Sequence, residues 1–221
     1  MSAEPDLPVR PGADVADLAE WQGFEPPAAR RLLVAAVQAF AERGFHATTT
    51  RDIAERAGMS PGGLYVHFKS KEELLYRISL IGHEQALAVL AAAAAKGGDP
   101  TSRLRLLVRE FASWHALHHA TTRVIQYEMA ALTPPHFAVI VVLRRRIDQV
   151  VRATIEAGVA AGVFDAPDIP GAALAILSLS VDIARWYPSS ARREPTEIGV
   201  LYADLAVRML QSTGGPPCLE P

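Results

Sequence analysis

Between positions 49 and 71 the sequence gathers hydroxyls on Thr49, Thr50 and Tyr65, a guanidinium on Arg51, an imidazole on His67 and an ammonium on Lys71. Groups of this kind hold phosphate oxygens and base edges. A second cluster, His115, His118 and His119, places two imidazoles four residues apart, a spacing that can chelate a metal on one helix. The cluster has no Glu at the second position of an H-E-x-x-H motif and no nearby Cys, so histidines on a surface or in a pocket are the plainer account and a metal sensor the alternative. The chain contains no G-x-S-x-G elbow, P-loop, G-x-G-x-x-G or paired-carboxylate arrangement. It is expected to bind rather than to catalyse, and to need no cofactor.

The first cluster is positioned by two short helices and a turn. Thr49 can cap the amide three residues on while Asp52 reaches back, which is a capping box. Ile53, Ala54 and Ala57 follow at helical spacing, and Gly58 supplies a left-handed stop. Ser60 caps a second helix with Pro61 at its first position, where a missing N–H costs nothing. Leu64 and Phe68 give that helix one buried stripe, leaving Gly62, Gly63, Tyr65, Val66 and His67 on its other face. A second capping box, Ser70 to Glu73, opens the next helix with Lys71 in its first turn. Two helices, a glycine turn and a small exposed face make a helix-turn-helix, whose second helix enters a DNA major groove.

Together with a preceding helix at residues 28 to 44, this segment resembles the DNA-binding domain of the tetracycline-repressor (TetR) family. The residues that carry the resemblance are Gly44-Phe45 and Thr48-Thr49, Arg51-Asp-Ile-Ala54, Ala57-Gly-Met-Ser60, Gly63-Leu-Tyr65, His67-Phe68 and Ser70-Lys-Glu-Glu-Leu74. The expected roles are phosphate contacts from Thr49, Thr50, Arg51 and Lys71, and a phosphate or base contact from Tyr65. Gly62 and Gly63 let the backbone approach the groove closely, Pro61 shares their face, and His67 either joins that face or lies over the turn. Gly63 departs from the family's frequent Thr or Ser. With Val66 beside it, direct base reading is thin, and DNA shape is expected to supply part of the specificity.

Composition fits this reading. Half of the 221 residues are apolar, with little β-branched alternation, so an all-α fold is expected. The net charge of −2 conceals a split: residues 1–27 hold six acidic groups and one basic, residues 28–78 eight basic and five acidic. The acidic N-terminal arm is expected not to touch DNA, whereas many relatives use a basic arm in the minor groove. It carries no secretory pattern, and the apolar uncharged run Ile169–Val181, at 13 residues, is too short for a bilayer. One cysteine, Cys218, excludes an internal disulfide. A cytoplasmic protein without a membrane partner is expected.

The expected divisions are a flexible tail (1–27), the DNA-binding domain (28–75), a helical ligand-binding and dimerisation domain (76–213) and a tail (214–221). A short helix is anticipated at Val15–Trp21. Longer ones are expected at Glu72–Ala95, Thr101–His119, 121–132, His136–Phe164, Asp168–Trp186 and Pro195–Leu210, with Asp168–Trp186 buried on most sides. The stripe Leu32, Leu33, Ala36, Val37 and Phe40 should form one core with Ile53, Ala57, Leu64 and Phe68; Phe40→Ala should cost roughly 3–5 kcal/mol. The resemblance implies a homodimer on a palindromic operator, joined by residues 140–160 and 170–186. It also implies a small effector among the central helices that releases DNA. Phe111, Trp114, Tyr127, Met129 and Phe137 are candidate lining residues, with Arg123 and Glu128 as polar anchors. Ala184-Arg-Trp-Tyr187 is similar to a segment in relatives that govern lipid or acyl-CoA breakdown, so a fatty acyl thioester is anticipated, its phosphates suited to Arg123, Arg144, Arg145 or Arg146. The alternatives are a metal sensor using His115 and His119, and an effector-independent DNA-binding protein.

Overall fold

The computed structural model describes Trp21, residues 25–187 and residues 193–211. These residues form α1 (Pro27–Ala47), α2 (Thr50–Arg56), α3 (Pro61–His67), α4 (Lys71–Ala95), α5 (Pro100–Leu117), α6 (His119–Glu128), α7 (Pro134–Ala160), α8 (Ile169–Trp186) and α9 (Pro195–Leu210), with a 3-10 turn at Met129–Ala131. The fold is all-α, with no strand among the described residues. Cys218 and the helix expected before Trp21 lie outside them.

Local signals account for the first four helices. At Thr49 both arms of the capping box form: Asp52 N donates to Thr49 Oγ1 at 3.1 Å, and Thr49 N to Asp52 Oδ2 at 2.8 Å. Gly58 holds φ +67, and Gly63 N donates to the Ser60 cap at 3.2 Å. Gly44 bends α1 rather than ending it. Its φ of 77 and ψ of 163 break the helical run, which resumes to Ala47. Thr48 then closes the end by donating its hydroxyl to Gly44 O at 2.8 Å and Ala39 O at 3.2 Å.

The stripe on α1 packs with Ile53, Leu64 and Phe68 as expected, but this core does not stop at the three helices. Leu74, Leu75 and Ile78 of α4, Val124 and Ile125 of α6, and Ile140 and Leu143 of α7 belong to the same buried cluster, as does Trp21, which is wholly buried. The head is therefore seated on the trunk through continuous apolar packing. The continuous helix α4 runs across the expected division at residues 75 and 76. A second core joins Leu90 of α4, Leu104, Leu107 and Phe111 of α5, Val151 and Ile155 of α7, and Val207 and Leu210 of α9. Helix α9 lies close along α5: a Cβ on Gly199 would stand 2.5 Å from Arg109 O.

One expectation changes: helix α8 buries only Ala173, Ile176, Ser180, Ile183 and Ala184 within the chain, while Leu174 is 64% and Leu179 47% exposed. Helix α7, expected to pair with a second copy, buries Ile140, Leu143, Ile147, Val151 and Ile155 in its own trunk and exposes Val139 and Val142. A further exposed apolar stripe lies on α9, at Leu201, Leu205 and Met209, one turn apart along a single face. Helices α4 and α8 are long and apolar enough by length and composition to cross a membrane, a test that core helices of soluble proteins also pass.

Candidate functional site

The site has two parts joined by α4 and α6. On the head, Arg51, Pro61, Gly62, Tyr65 and Val66 are exposed, and Gly63 and His67 are half-buried. Tyr65 OH and Thr50 Oγ1 lie 3.1 Å apart, so the start of α2 and the outer face of α3 share one hydrogen bond. Thr49 is committed to its cap, donating its hydroxyl to Asp52 Oδ2 at 2.7 Å. A Cβ on Gly62 would meet nothing within 4 Å, whereas on Gly63 it would approach Met59 Cε at 3.3 Å. Nothing inside the chain requires glycine at position 62.

Lys71, expected to hold phosphate, directs its ammonium at the end of α1. Its Nζ donates to Phe45 O at 2.8 Å, Thr48 O at 2.9 Å and His46 O at 3.3 Å, and sits 4.4 Å from the centre of the Phe45 ring. The last carbonyls of α1 have no partners within their own helix, and a lysine in the first turn of α4 supplies them. The ammonium has three donors, all directed at this helix end. Its role in the structure is to staple α4 to α1.

In the trunk, α4, α5, α6, α7 and α8 enclose a cavity of about 550 Å³. Phe111, Trp114, Arg123 and Tyr127 line it, as expected; Met129 and Phe137 line instead a smaller adjoining groove of about 330 Å³. Arg144 and Asp148 border both. Arg145 reaches the groove, while Arg146 and Glu128 line neither space. Gly82, His83, Thr122, Leu177, Val181 and Asp182 also stand on the cavity wall without having been expected there, as does Arg185 of the 184–187 segment. A glycine inside a 25-residue helix was the available signal for the first pair, since Gly weakens a helix interior unless something must come close.

The histidine cluster does not behave as a chelate. Helix α5 ends at Leu117, His118 leaves helical geometry at φ −100 and ψ 31, and His119 begins α6. Positions 115 and 119 therefore do not share one helix face. His115 Nδ1–H donates to Phe111 O at 2.8 Å and His119 Nδ1–H to Ala116 O at 3.1 Å. Among the described residues no group of three His, Cys, Asp or Glu side chains is placed to hold a metal ion. Burial pushes the His115 imidazole down to about 4, with His83 and His118 adding to the effect, and pushes His83 down to about 4 as well. Both rings are neutral near neutral pH.

Coupling between the two parts is direct. Glu72, one residue past Lys71, accepts from Thr133 N at 2.8 Å and from His136 Nδ1 at 2.8 Å, pinning the start of α4 to the start of α7. The His136 ring stacks on Tyr76, with centroids 3.8 Å apart and planes within 4°. Further along α4, Gly82, His83 and Ala86 form cavity wall. On α6, Thr122, Arg123 and Gln126 face the cavity, Val124 enters the head core, and Ile125 belongs to both.

Comparison with known proteins agrees at both ends of the chain. The family model for bacterial regulatory proteins of the tetR family matches residues 32–78, and that for the tetracyclin repressor-like C-terminal domain matches residues 97–210. The chain is 40% identical over 111 residues to the HTH-type transcriptional repressor KstR2 of Mycolicibacterium smegmatis, covering 46% of this chain and 50% of that repressor. It thus spans about half the length of that curated relative. A regulatory protein in the tetR family from Rhodococcus RHA1 is similar at 46% identity and a TM-score of 0.81, over 84% of this chain and 98% of that one. The ketosteroid transcriptional regulator KstR2 of Mycobacterium tuberculosis is similar at 27% identity and a TM-score of 0.77, over 85% and 96%.

Proposed function

Since this chain belongs to the TetR family of DNA-binding transcriptional regulators, we propose that it is a ligand-responsive repressor, not an enzyme, acting in the cytoplasm. A homodimer binds a palindromic operator, and an apolar effector in the trunk cavity releases it. The observation that carries this reading is the path of α4: one rigid helix holds the head through Lys71 and Glu72 and forms cavity wall at Gly82, His83 and Ala86. A molecule that fits better when α4 is tilted shifts the population toward that state, and the recognition helices move with it.

On DNA, Thr50, Arg51 and Tyr65 contact phosphate or base, with Pro61, Gly62 and Gly63 letting the backbone of α3 approach and His67 at the edge. Lys71 is left out of this set because its donors hold α1. A single short recognition helix makes few base contacts, so two copies are needed for tight binding. The apolar stripes of α8 and α9, exposed at Leu179, Leu201 and Leu205, supply the faces for a four-helix bundle between copies.

The effector is apolar in body, as Phe111, Trp114, Ile147 and Val181 on the wall require, with Arg123 and Arg144 available for an anionic end such as the phosphates of an acyl-CoA. One relative is named as a ketosteroid regulator, and a fused-ring body satisfies the same wall. Selection of bound duplexes from a random pool tests the proposal. A palindrome with half-sites about one helical turn apart is expected; purified protein with no preference for any duplex over scrambled competitor would end it.

A further inference from the structure

The neutral polar groups buried in the cavity wall define the chemistry of the part of the effector that lies deepest. His83 Nδ1–H donates to Ser79 O at 2.7 Å, and His115 Nδ1–H donates to Phe111 O at 2.8 Å. Each ring thereby uses its protonated nitrogen on its own helix, and Nε2 is left as a bare lone-pair acceptor on a residue lining the cavity. Both residues are buried, at 7% and 4% exposure, and burial keeps both uncharged.

Thr122, 3% exposed on α6, completes the set. Among the buried trunk hydroxyls, Thr154 Oγ1 donates to Val150 O at 3.0 Å and Ser180 Oγ to Ile176 O at 2.9 Å, each to the carbonyl four residues earlier, whereas Ser79 Oγ has no partner among the described residues. Thr122 Oγ1 makes no such bond and has no partner among the described residues, although its residue lines the cavity. A buried hydroxyl without a partner costs free energy that a bound molecule can recover. Carboxylates lie elsewhere on the wall, at Asp148 and Asp182, where Arg152 and Arg185 pair with them at 2.7 Å and 2.8 Å. The buried set therefore offers lone pairs and one hydroxyl, and no charge.

We propose that the effector carries an uncharged alcohol on its apolar body, donating its hydroxyl hydrogen to Nε2 of His83 or His115 and accepting from Thr122 Oγ1. This rests on the reading of the cavity as the effector site and narrows it. A hydrocarbon end would leave three polar groups unpaired. A carboxylate end would set its negative charge against these lone pairs and would be drawn instead to Arg123 or Arg144 on the same wall, and an ammonium would find no counter-charge among them.

The test uses full-length protein and four probes of one chain length: decanol, its methyl ether, decanoate and decylamine, followed by quenching of tryptophan fluorescence, with Trp114 on the wall as reporter. Decanol should bind at least about fivefold more tightly than the ether, the worth of about one net hydrogen bond. That ratio reports the donation to the histidines, because the ether oxygen can still accept; Thr122→Val should weaken decanol and its ether alike, by about fivefold, and leave the ratio unchanged. Long-range proton–nitrogen NMR adds a readout that mere packing would not move: an Nε2 resonance of His83 or His115 should shift on adding decanol and not on adding the ether. Equal affinity for alcohol and ether, or tighter binding of decanoate or decylamine, overturns the inference while the cavity stays an apolar binding site. Failure of all four probes to bind overturns both together.

Discussion

Gly82 and Ile125 meet where α4 and α6 leave no room for another atom: a Cβ on Gly82 would stand 2.6 Å from Ile125 Cδ1. Both residues line the cavity, and Ile125 also belongs to the core beneath the head. Gly82→Ala should therefore push the helices apart, destabilising the fold by roughly 1–3 kcal/mol and weakening effector response. Ile125→Val deletes the methyl in conflict, so the double variant should recover most of the loss. Urea melts of the four proteins form the cycle; strictly additive effects would show that the contact is not what couples the helices.

Lys71 gives a prediction opposite to the one its place near the DNA-facing helices invites. With Nζ on three carbonyls at the end of α1 and its cap, and over the Phe45 ring, Lys71→Ala should cost roughly 1.5–3 kcal/mol of stability, the range for a hydrogen bond involving a charge. Once the loss of folded protein is corrected for, the salt dependence of operator binding should stay unchanged. If the slope of log affinity against log salt instead falls by about one unit, the lysine grips phosphate.

Gly62 allows stability and DNA binding to be separated. It lies in the first turn of α3, and a Cβ there meets nothing within 4 Å. Gly62→Ala should leave the melting temperature unchanged or raise it slightly, since alanine favours the helix by up to about 1 kcal/mol. Operator affinity should nevertheless fall, because the methyl enters the space between backbone and groove. An unchanged affinity in a gel-shift titration would mean that α3 never comes that close.

His83 and His115 predict acid sensitivity in a defined window. Burial lowers each from the usual 6.5 to about 4 in the folded chain. As pH falls from about 6.5 toward about 4, the unfolded chain takes up protons that the folded chain refuses, so stability drops, on the order of 3 kcal/mol per histidine. Glu72, Asp52 and Asp182 also titrate low, but their contributions disappear only below the usual carboxylate range. Urea midpoints at about pH 7 and about pH 5 should therefore differ, and His115→Phe should reduce the difference. Equal slopes in the two proteins would assign the window to other groups.

The helix-turn-helix was legible because its signals are local. Thr49 with Asp52, Gly58, and Ser60 before Pro61 are choices made within four residues of one another, and each appears in the structure as read. The direction of the Lys71 side chain was not legible, because it depends on where α1 ends, twenty-four residues earlier at Ala47. Nor was the exposure of Leu174 and Leu179: an apolar helix reads alike whether its outer face meets its own chain or another. The cavity was half legible. Aromatic stripes on α5 and α6 announced Phe111, Trp114 and Tyr127, but His83 sits in an alanine-rich stretch of α4 whose only cue was the glycine beside it.

The α8 and α9 stripes carry the last prediction. Leu179 is 47% and Leu205 42% exposed, and both stand away from the cavity wall. Neither is needed by the chain's own core, so Leu179→Arg with Leu205→Glu should leave the helical content and melting profile of the monomer intact. Charge placed on an apolar face between copies loses its hydration on association, and the pair should shift light scattering from a dimeric mass to a monomeric one. Operator affinity should fall with it, because one recognition helix retains half the contacts. If the variant stays dimeric and binds the palindrome as before, the two copies meet elsewhere, and the exposed valines of α7, Val139 and Val142, become the faces to test.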